Sequence, residues 1–512
     1  MAKKFTSTIV GASIFISVLM LLGRGFGFIR EMVYAGYFGI GEQFDLYLVS
    51  AVFPITVNTI IYYLGQNYFI PAYNKVINSS KPDSSKFLSQ IFLIFIAGGI
   101  LLSLCLVVLS DFIIDFYLHS SDPGTKTTAK TIFVIFLTTI PIYAGISILS
   151  SYIQAKLEYT FPALSRLFLN ISIILLILLF SDNLGIYVIP IGYAIGVMIQ
   201  FIYLLIISLR FGEIKLAQFQ FDKAFLFATV RSSVLLIILI ESISQLYLVA
   251  DRFFYSDLPS GGIASLNYAY NLFLFPIAIF SFAITTAIFP RISDAFVRKA
   301  DTELTKVISE SISASLVVFT PITFLFIFHT EPIIKVIFER GNFSPEGTTM
   351  TAEVLQFYGL SLIFYSVYTI MNKILYSTEL VKQLLFMTIF GIIIKLAFNF
   401  ILVGSMKQSG LALGTSLSYL SFLFFSFILI NKKLKFSYFK IFFTELTLNL
   451  FNAFISFIIA SMLINIFAKN FLLAEILFML VFVGIFFLNL TIQKHPTVAT
   501  LINIFRRFKL YF

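Results

Sequence analysis

The stretch LLGRGFGFIREMVYAGYFG, residues 21–39, is apolar enough to lie in a bilayer, yet it carries Arg24, Arg30 and Glu31. Its reading decides the fold, because similar apolar runs recur along the 512 residues. The chain is 59% hydrophobic with a mean hydropathy of +0.98, and only 12% of it is charged, where soluble domains are about a quarter charged. Each run has roughly 20 apolar residues, enough to cross a hydrocarbon core about 30 Å thick as a helix. Strand-length alternation is missing, which argues against a transmembrane β-barrel. The first run follows Lys3 and Lys4 like a signal peptide, but it has no small-residue cleavage site and reads as a mature helix.

These runs predict an all-α integral membrane protein of about fourteen transmembrane helices. They fall at 8–37, 46–70, 88–109, 131–150, 161–181, 184–208, 226–250, 264–288, 308–328, 352–376, 383–404, 409–431, 441–467 and 471–492. The net charge of +10 is topological. With the N-terminus placed in the cytoplasm, most Lys and Arg fall on the inner connections and tails, which puts both termini inside. Anionic lipid headgroups suit that basic face, and no nucleic-acid partner is needed. Cys105 is a lone cysteine, so no internal disulfide forms. His119, His329 and His495 are far apart, and neither a metal site nor a cofactor is expected.

The chain also repeats itself. FDLYLVSAVFPITVNTIIYYLGQNYFIPAY (44–73) and LNYAYNLFLFPIAIFSFAITTAIFPRI (266–292) each lead through an aromatic-rich segment to Phe-Pro, at Pro54 and Pro276, and then to a second apolar stretch ending in proline. SSYIQAKLEYT (150–160) and MNKILYSTELV (371–381) each close a run with a basic turn. The expected organisation is two parallel six-helix lobes, 1–223 and 224–436, with two helices and a basic tail appended at 437–512. Such repeats suit a transporter whose substrate path lies between them.

A charge at mid-bilayer costs about 2.5–3.5 kcal/mol on insertion scales and needs a partner or a wet cavity. Arg24 and Arg30 lie six residues apart, about 9 Å along a helix and some 120° off a common face, but their long arms can reach one cavity. Gly23, Gly25, Gly27, Gly36 and Gly39 make this helix easy to bend. A guanidinium fork suits phosphate, to which it gives two parallel hydrogen bonds. The structural alternative is that Arg30 pairs with Glu31 or Asp45 and locks two helices together. Further along, Glu241 lies in the seventh run, and Lys395 with Asn399 one turn later in the eleventh. Glu241 is an available partner for Lys395.

GRGFGFIREMVYAGYFGIGEQFDLYLVSAVFP (23–54) resembles the opening signature of the MurJ/MviN lipid II flippases of the MOP exporter superfamily. Arg24, Arg30, Glu31, Phe38, Gly39, Asp45 and Pro54 fall on its positions. SGGIASLNYAYNLFLFP (260–276), IIKVIFERGNFSPEGTTMTA (333–352) and SGLALGTSLSYL (409–420) follow in family order across nearly the whole chain.

The resemblance implies a monomeric inner-membrane transporter with two lobes around a central cavity. It would move an undecaprenyl-pyrophosphate-linked peptidoglycan precursor between leaflets by alternating access, near cell-wall synthesis enzymes. It implies that Arg24 and Arg30 hold the pyrophosphate, that Asp45 matters for function, and that the last two helices offer a groove for the lipid tail.

Three departures from the family pattern stand out. Asn58 occupies a helix-two position where relatives carry arginine. Tyr270 and Asn271 stand where relatives carry an Asp-Arg pair. Lys395 and Asn399 replace the polar or acidic residues that resemble a sodium site, so the Lys ammonium is expected to substitute for the ion. Asn58 and Asn271 therefore join the expected substrate-binding set, and Glu241, Lys395 and Asn399 form the expected coupling set.

Two other transport readings compete: a flippase for another polyprenyl-linked oligosaccharide, and a drug or cation antiporter of the same superfamily. The antiporter would want acidic residues deep in the lobes, and the chain offers few. A multi-pass glycosyltransferase would need outer-loop carboxylates. Asp111, Asp115 and Asp122 are the only cluster and lack an Asp-x-Asp motif, so the chain is not expected to be an enzyme. No GxxxxGK[ST] motif is present for ATP hydrolysis, and membrane potential or a proton gradient is the expected drive.

Overall fold

The computed structural model describes residues 9–78, 84–118, 122–212, 250–378, 380–467 and 471–499, together with Ile243, Gln245 and Tyr247. All regular structure among these residues is helical. The chain divides into two compact units, Met1–Ser256 and Asp257–Phe512. The expected lobe boundary at 223/224 and the seventh run lie in a stretch almost wholly outside the described residues.

The first unit contains α1 (Ile9–Phe38), α2 (Glu42–Leu64), α3 (Ile70–Ile77), α4 (Ser84–Val108), α5 (Ser110–Tyr117), α6 (Pro123–Leu137), α7 (Thr139–Ala155), α8 (Thr160–Leu184) and α9 (Val188–Arg210). Asp122 caps α6: its carboxylate accepts from the Thr125 amide at 3.0 Å and the Thr125 hydroxyl at 2.6 Å. Those bonds hold the Asp122 carboxyl below its ordinary range. Helices α8 and α9 turn over at Gly185, whose φ of 51° suits glycine. They then pack closely, because a Cβ on Gly196 would come within 2.8 Å of the Leu169 Cα. Leu46, Phe133, Leu137 and Ile140 form part of an apolar core where α2 meets α6 and α7.

Helices α2 and α3 form one continuous helical stretch. Pro54 removes a backbone donor inside α2, and the stretch widens into a π-turn at Gly65–Phe69 before α3 begins. The Ser147 hydroxyl of α7 donates to the Ile61 and Tyr62 carbonyls at 2.9 and 3.1 Å, just where the helix changes pitch. Gly65 makes that approach possible, since a Cβ there would overlap the Ser147 Oγ.

The second unit contains α10 (Gly262–Pro276), α11 (Phe282–Val297), α12 (Asp301–Phe328), α13 (Thr330–Phe338), α14 (Pro345–Ser377), α15 (Val381–Leu434), α16 (Tyr438–Phe467) and α17 (Phe471–Ile492). A π-turn at Ile277–Ser281 joins α10 to α11, so both stretches of the sequence repeat fold as a helix interrupted by a π-turn. Ser344 caps α14 by accepting from the Gly347 amide, and α14 then packs against α10, α12 and α15. Inside α15 the helix breaks at Lys407, where φ is 49°.

Helices α16 and α17 are joined by a ladder of polar side chains. Asn452 and Gln493 exchange amide hydrogen bonds at 3.0 and 2.8 Å, Asn489 donates to Ser456 at 3.2 Å, and His495 lies 3.0 Å from Glu445. In lipid such bonds hold helices together where apolar burial gives no drive. At the far end of α17, His329 reaches from the end of α12 to Glu475, at 2.6 Å.

Ten helical stretches among the described residues are long and apolar enough to cross a membrane. Large apolar side chains stand exposed on them, including Leu101, Val108, Phe386 and Phe400. Water does not tolerate so extensive an apolar surface, and lipid covers it.

Candidate functional site

Arg30 sits in the C-terminal half of α1, followed directly by Glu31. Neighbouring residues on a helix diverge by about 100°, so the long guanidinium arm must bend back to meet the carboxylate. It does: Arg30 Nη2 lies 2.6 Å from Glu31 Oε1, and the Glu31 side chain is only 4% exposed. Arg30 Nη1 donates to Asn170 Oδ1 of α8 at 3.1 Å, and its Cζ lies 5.3 Å from the centre of the Tyr34 ring. A carboxylate, an amide and an aromatic face thus surround the cation on three sides.

The Arg30 side chain keeps 23% of its exposure, its Nε is buried without a hydrogen-bond partner, and a guanidinium has five N–H donors in all. Arg30 is therefore oriented by the protein with donor capacity left over. The ion pair with Glu31, one of the two roles the sequence offers Arg30, is formed.

Arg24 is exposed on the same helix and makes no ion pair among the described residues. Asp45 is buried in the first turn of α2. Asn58 is buried and donates to Thr139 Oγ1 at 3.0 Å, tying α2 to α7. In the second unit the Asn271 amide donates to the Asn267 carbonyl of its own helix at 2.9 Å. Lys395 and Asn399 are both buried, one turn apart in α15. Glu241 lies outside the described residues.

One cation escapes the sequence reading. Arg166, near the start of α8, donates from Nη2 to the Tyr62 hydroxyl at 2.7 Å and lies over the Tyr62 ring at 5.1 Å. Gln66, in the π-turn, donates to the same hydroxyl at 2.8 Å. Arg166 precedes Asn170 by one turn, so α8 presents an arginine and the amide that holds Arg30 on one face. The signal was the i, i+4 spacing itself: RLFLN (166–170) repeats the cation-Leu-x-x-Asn pattern of KLAFN (395–399).

Asp111 pairs with Lys130 at 2.6 Å and Asp115 with Lys126 at 2.8 Å, while Asp122 caps α6.

Against known proteins, the chain matches the family model of lipid II flippase MurJ over residues 34–494. It is 26% identical over 429 residues to a probable lipid II flippase MurJ of Buchnera aphidicola, covering 82% of this chain and 83% of that one. A solved structure of lipid II flippase MurJ in an inward closed conformation superposes with a TM-score of 0.79 at 23% identity, over 93% of this chain and all of the other. An inward-facing multidrug resistance MATE transporter of the MOP superfamily superposes with a TM-score of 0.68 at 13% identity, over 82% of this chain and 98% of that one.

Proposed function

The chain belongs to the MurJ lipid II flippase family, and we propose that it carries lipid II, an undecaprenyl-pyrophosphate-linked peptidoglycan precursor, from the inner to the outer leaflet by alternating access. The match over residues 34–494 carries this reading. It is a multi-pass protein of the bacterial inner membrane, and its family is one of transporters.

Fourteen crossings is the count we favour. Two of the ten membrane-length stretches are broken in the middle, at Gly185 and Lys407. Helix α1 adds another, and the apolar run at 226–250 a last. An even number leaves both termini on one side, and the basic connections favour the cytoplasm. We assign the two lobes to 1–223 and 224–436, with 437–512 appended.

The lipid's pyrophosphate needs a desolvated cationic partner that does not lose its proton, and arginine meets that need. Arg30 is the residue we assign to it, oriented by Glu31 and Asn170 and still partly exposed. Arg24, exposed six residues earlier, is assigned to the approach of the headgroup. Asp45, Asn58 and Asn271 are assigned to substrate contact, and Glu241, Lys395 and Asn399 to coupling. The transporter works as a monomer beside cell-wall synthesis enzymes in this reading. One observation favours a different lipid-linked oligosaccharide as cargo: Asn271 is neutral and bonded within its own helix, where the family pattern that the sequence resembles implies a cation.

The test is flipping of defined lipid-linked substrates in proteoliposomes by wild type, Arg24→Ala and Arg30→Ala. Loss of one charge-assisted contact should slow Arg30→Ala about tenfold or more. Equal rates in all three would remove the phosphate clamp.

A further inference from the structure

We infer that Arg166 is the second cation of the headgroup site and that it sets the preference for a diphosphate over a monophosphate. The inference rests on the flippase reading and deepens it. A diphosphate carries more charge than one guanidinium can balance, and Asn58 gives α2 no cation at that position. Arg166 restores a positive charge to the same region from a different helix, because its partner Tyr62 stands one turn beyond Asn58 on α2.

Three observations support this placement. Arg166 is exposed and so open to a ligand. Its guanidinium is oriented by neutral groups alone: the hydroxyl and ring of Tyr62, with Gln66 fixing that hydroxyl from the other side. Among the described residues no carboxylate lies within ion-pairing distance of it. Arg30, by contrast, shares its charge with Glu31.

The two cations are linked through α8: Arg166 and the Asn170 that holds Arg30 are one turn apart on it, about 6 Å along its axis. A diphosphate whose outer phosphate meets Arg30 can place its second phosphate toward Arg166, while a monophosphate engages Arg30 alone.

The experiment titrates the purified full-length protein in detergent with undecaprenyl diphosphate and undecaprenyl monophosphate, reading binding by native mass spectrometry. Wild type should bind the diphosphate more tightly. Arg166→Gln should weaken diphosphate binding about tenfold and leave monophosphate binding nearly unchanged, whereas Arg166→Lys, which keeps the charge and loses the fork, should fall between. A merely structural role would weaken both ligands equally, and that result overturns the inference, as does an Arg166→Gln protein that keeps the wild-type preference. Wild type with no preference for the diphosphate would instead bring down the flippase clamp beneath it.

Discussion

Arg30 of α1 donates to Asn170 of α8 at 3.1 Å, a contact between residues 140 positions apart in the chain. Through it the first apolar run, read as bendable and charged, is fixed to the fifth. Removing the arginine alone takes away the ion pair of the buried Glu31. Arg30→Ala should therefore lower stability by about 3–5 kcal/mol, as breaking buried pairs does. The double variant Arg30→Met, Glu31→Met should recover most of that loss in thermal melts, yet stay inactive in flipping. Recovery of flipping together with stability would show that the pair only holds helices together.

Gly65 tests the π-turn. An added methyl group overlaps the Ser147 Oγ, which bridges the Ile61 and Tyr62 carbonyls. Gly65→Ala should cost about 1–3 kcal/mol by overpacking. Because Gln66 and Tyr62 orient Arg166 from this turn, lipid binding should weaken as well. Adding Ser147→Ala makes room and should restore stability in part. A double variant no more stable than Gly65→Ala would show that the strain lies elsewhere.

The helical class and the positions of most spans were legible because bilayer thickness imposes a length on every apolar run. Lys407 and Gly185 break the helices where polar or turn-forming residues separate two runs. The π-turns were not legible: GQNYF and IAIFS have no composition that marks a wider helix. Arg30, with Glu31 as one option among its partners, could be read from adjacency. Asn170 could not, since nothing local says which helix comes alongside α1. Arg166 was overlooked because it lies close to the edge of its run, where a cation is ordinarily explained by the membrane surface.

His329 supplies a pH dependence. It lies just past the membrane-length part of α12, with Nε2 2.6 Å from Glu475 and its ring 4.2 Å from that of Phe478. Burial pushes the imidazole below its ordinary value of 6.5, against the opposing pull of Glu475. The folded protein thus prefers the neutral ring, and the unfolded chain binds the extra proton as pH falls through 6.5. Stability should decline from there down to the lower folded value and flatten beyond it. Thermal melts between pH 7.5 and pH 5, taken as roughly bracketing histidine titration, should show a smaller decline in His329→Gln. A decline of the same size in that variant would place the responsible group elsewhere.

Lys395 bears on how transport is driven. It is buried in α15 one turn before Asn399, and the Asn399 Oδ1 is pressed so closely to Gly414 that a Cβ there would overlap it. A buried ammonium within a membrane helix carries a cost that selection tolerates where the charge is used. If that ammonium stands in for a bound cation, wild-type flipping should be equally fast in sodium and potassium media. Lys395→Ala should slow flipping about tenfold, the scale of one lost charged contact. High sodium should then restore part of the rate, because a small cation can occupy the vacated space beside Asn399. Lys395→Met, which fills that space with an apolar chain, should be slow and deaf to sodium. Wild-type flipping that accelerates with sodium, or Lys395→Ala that flips at the wild-type rate, would leave the ammonium with no part in the cycle.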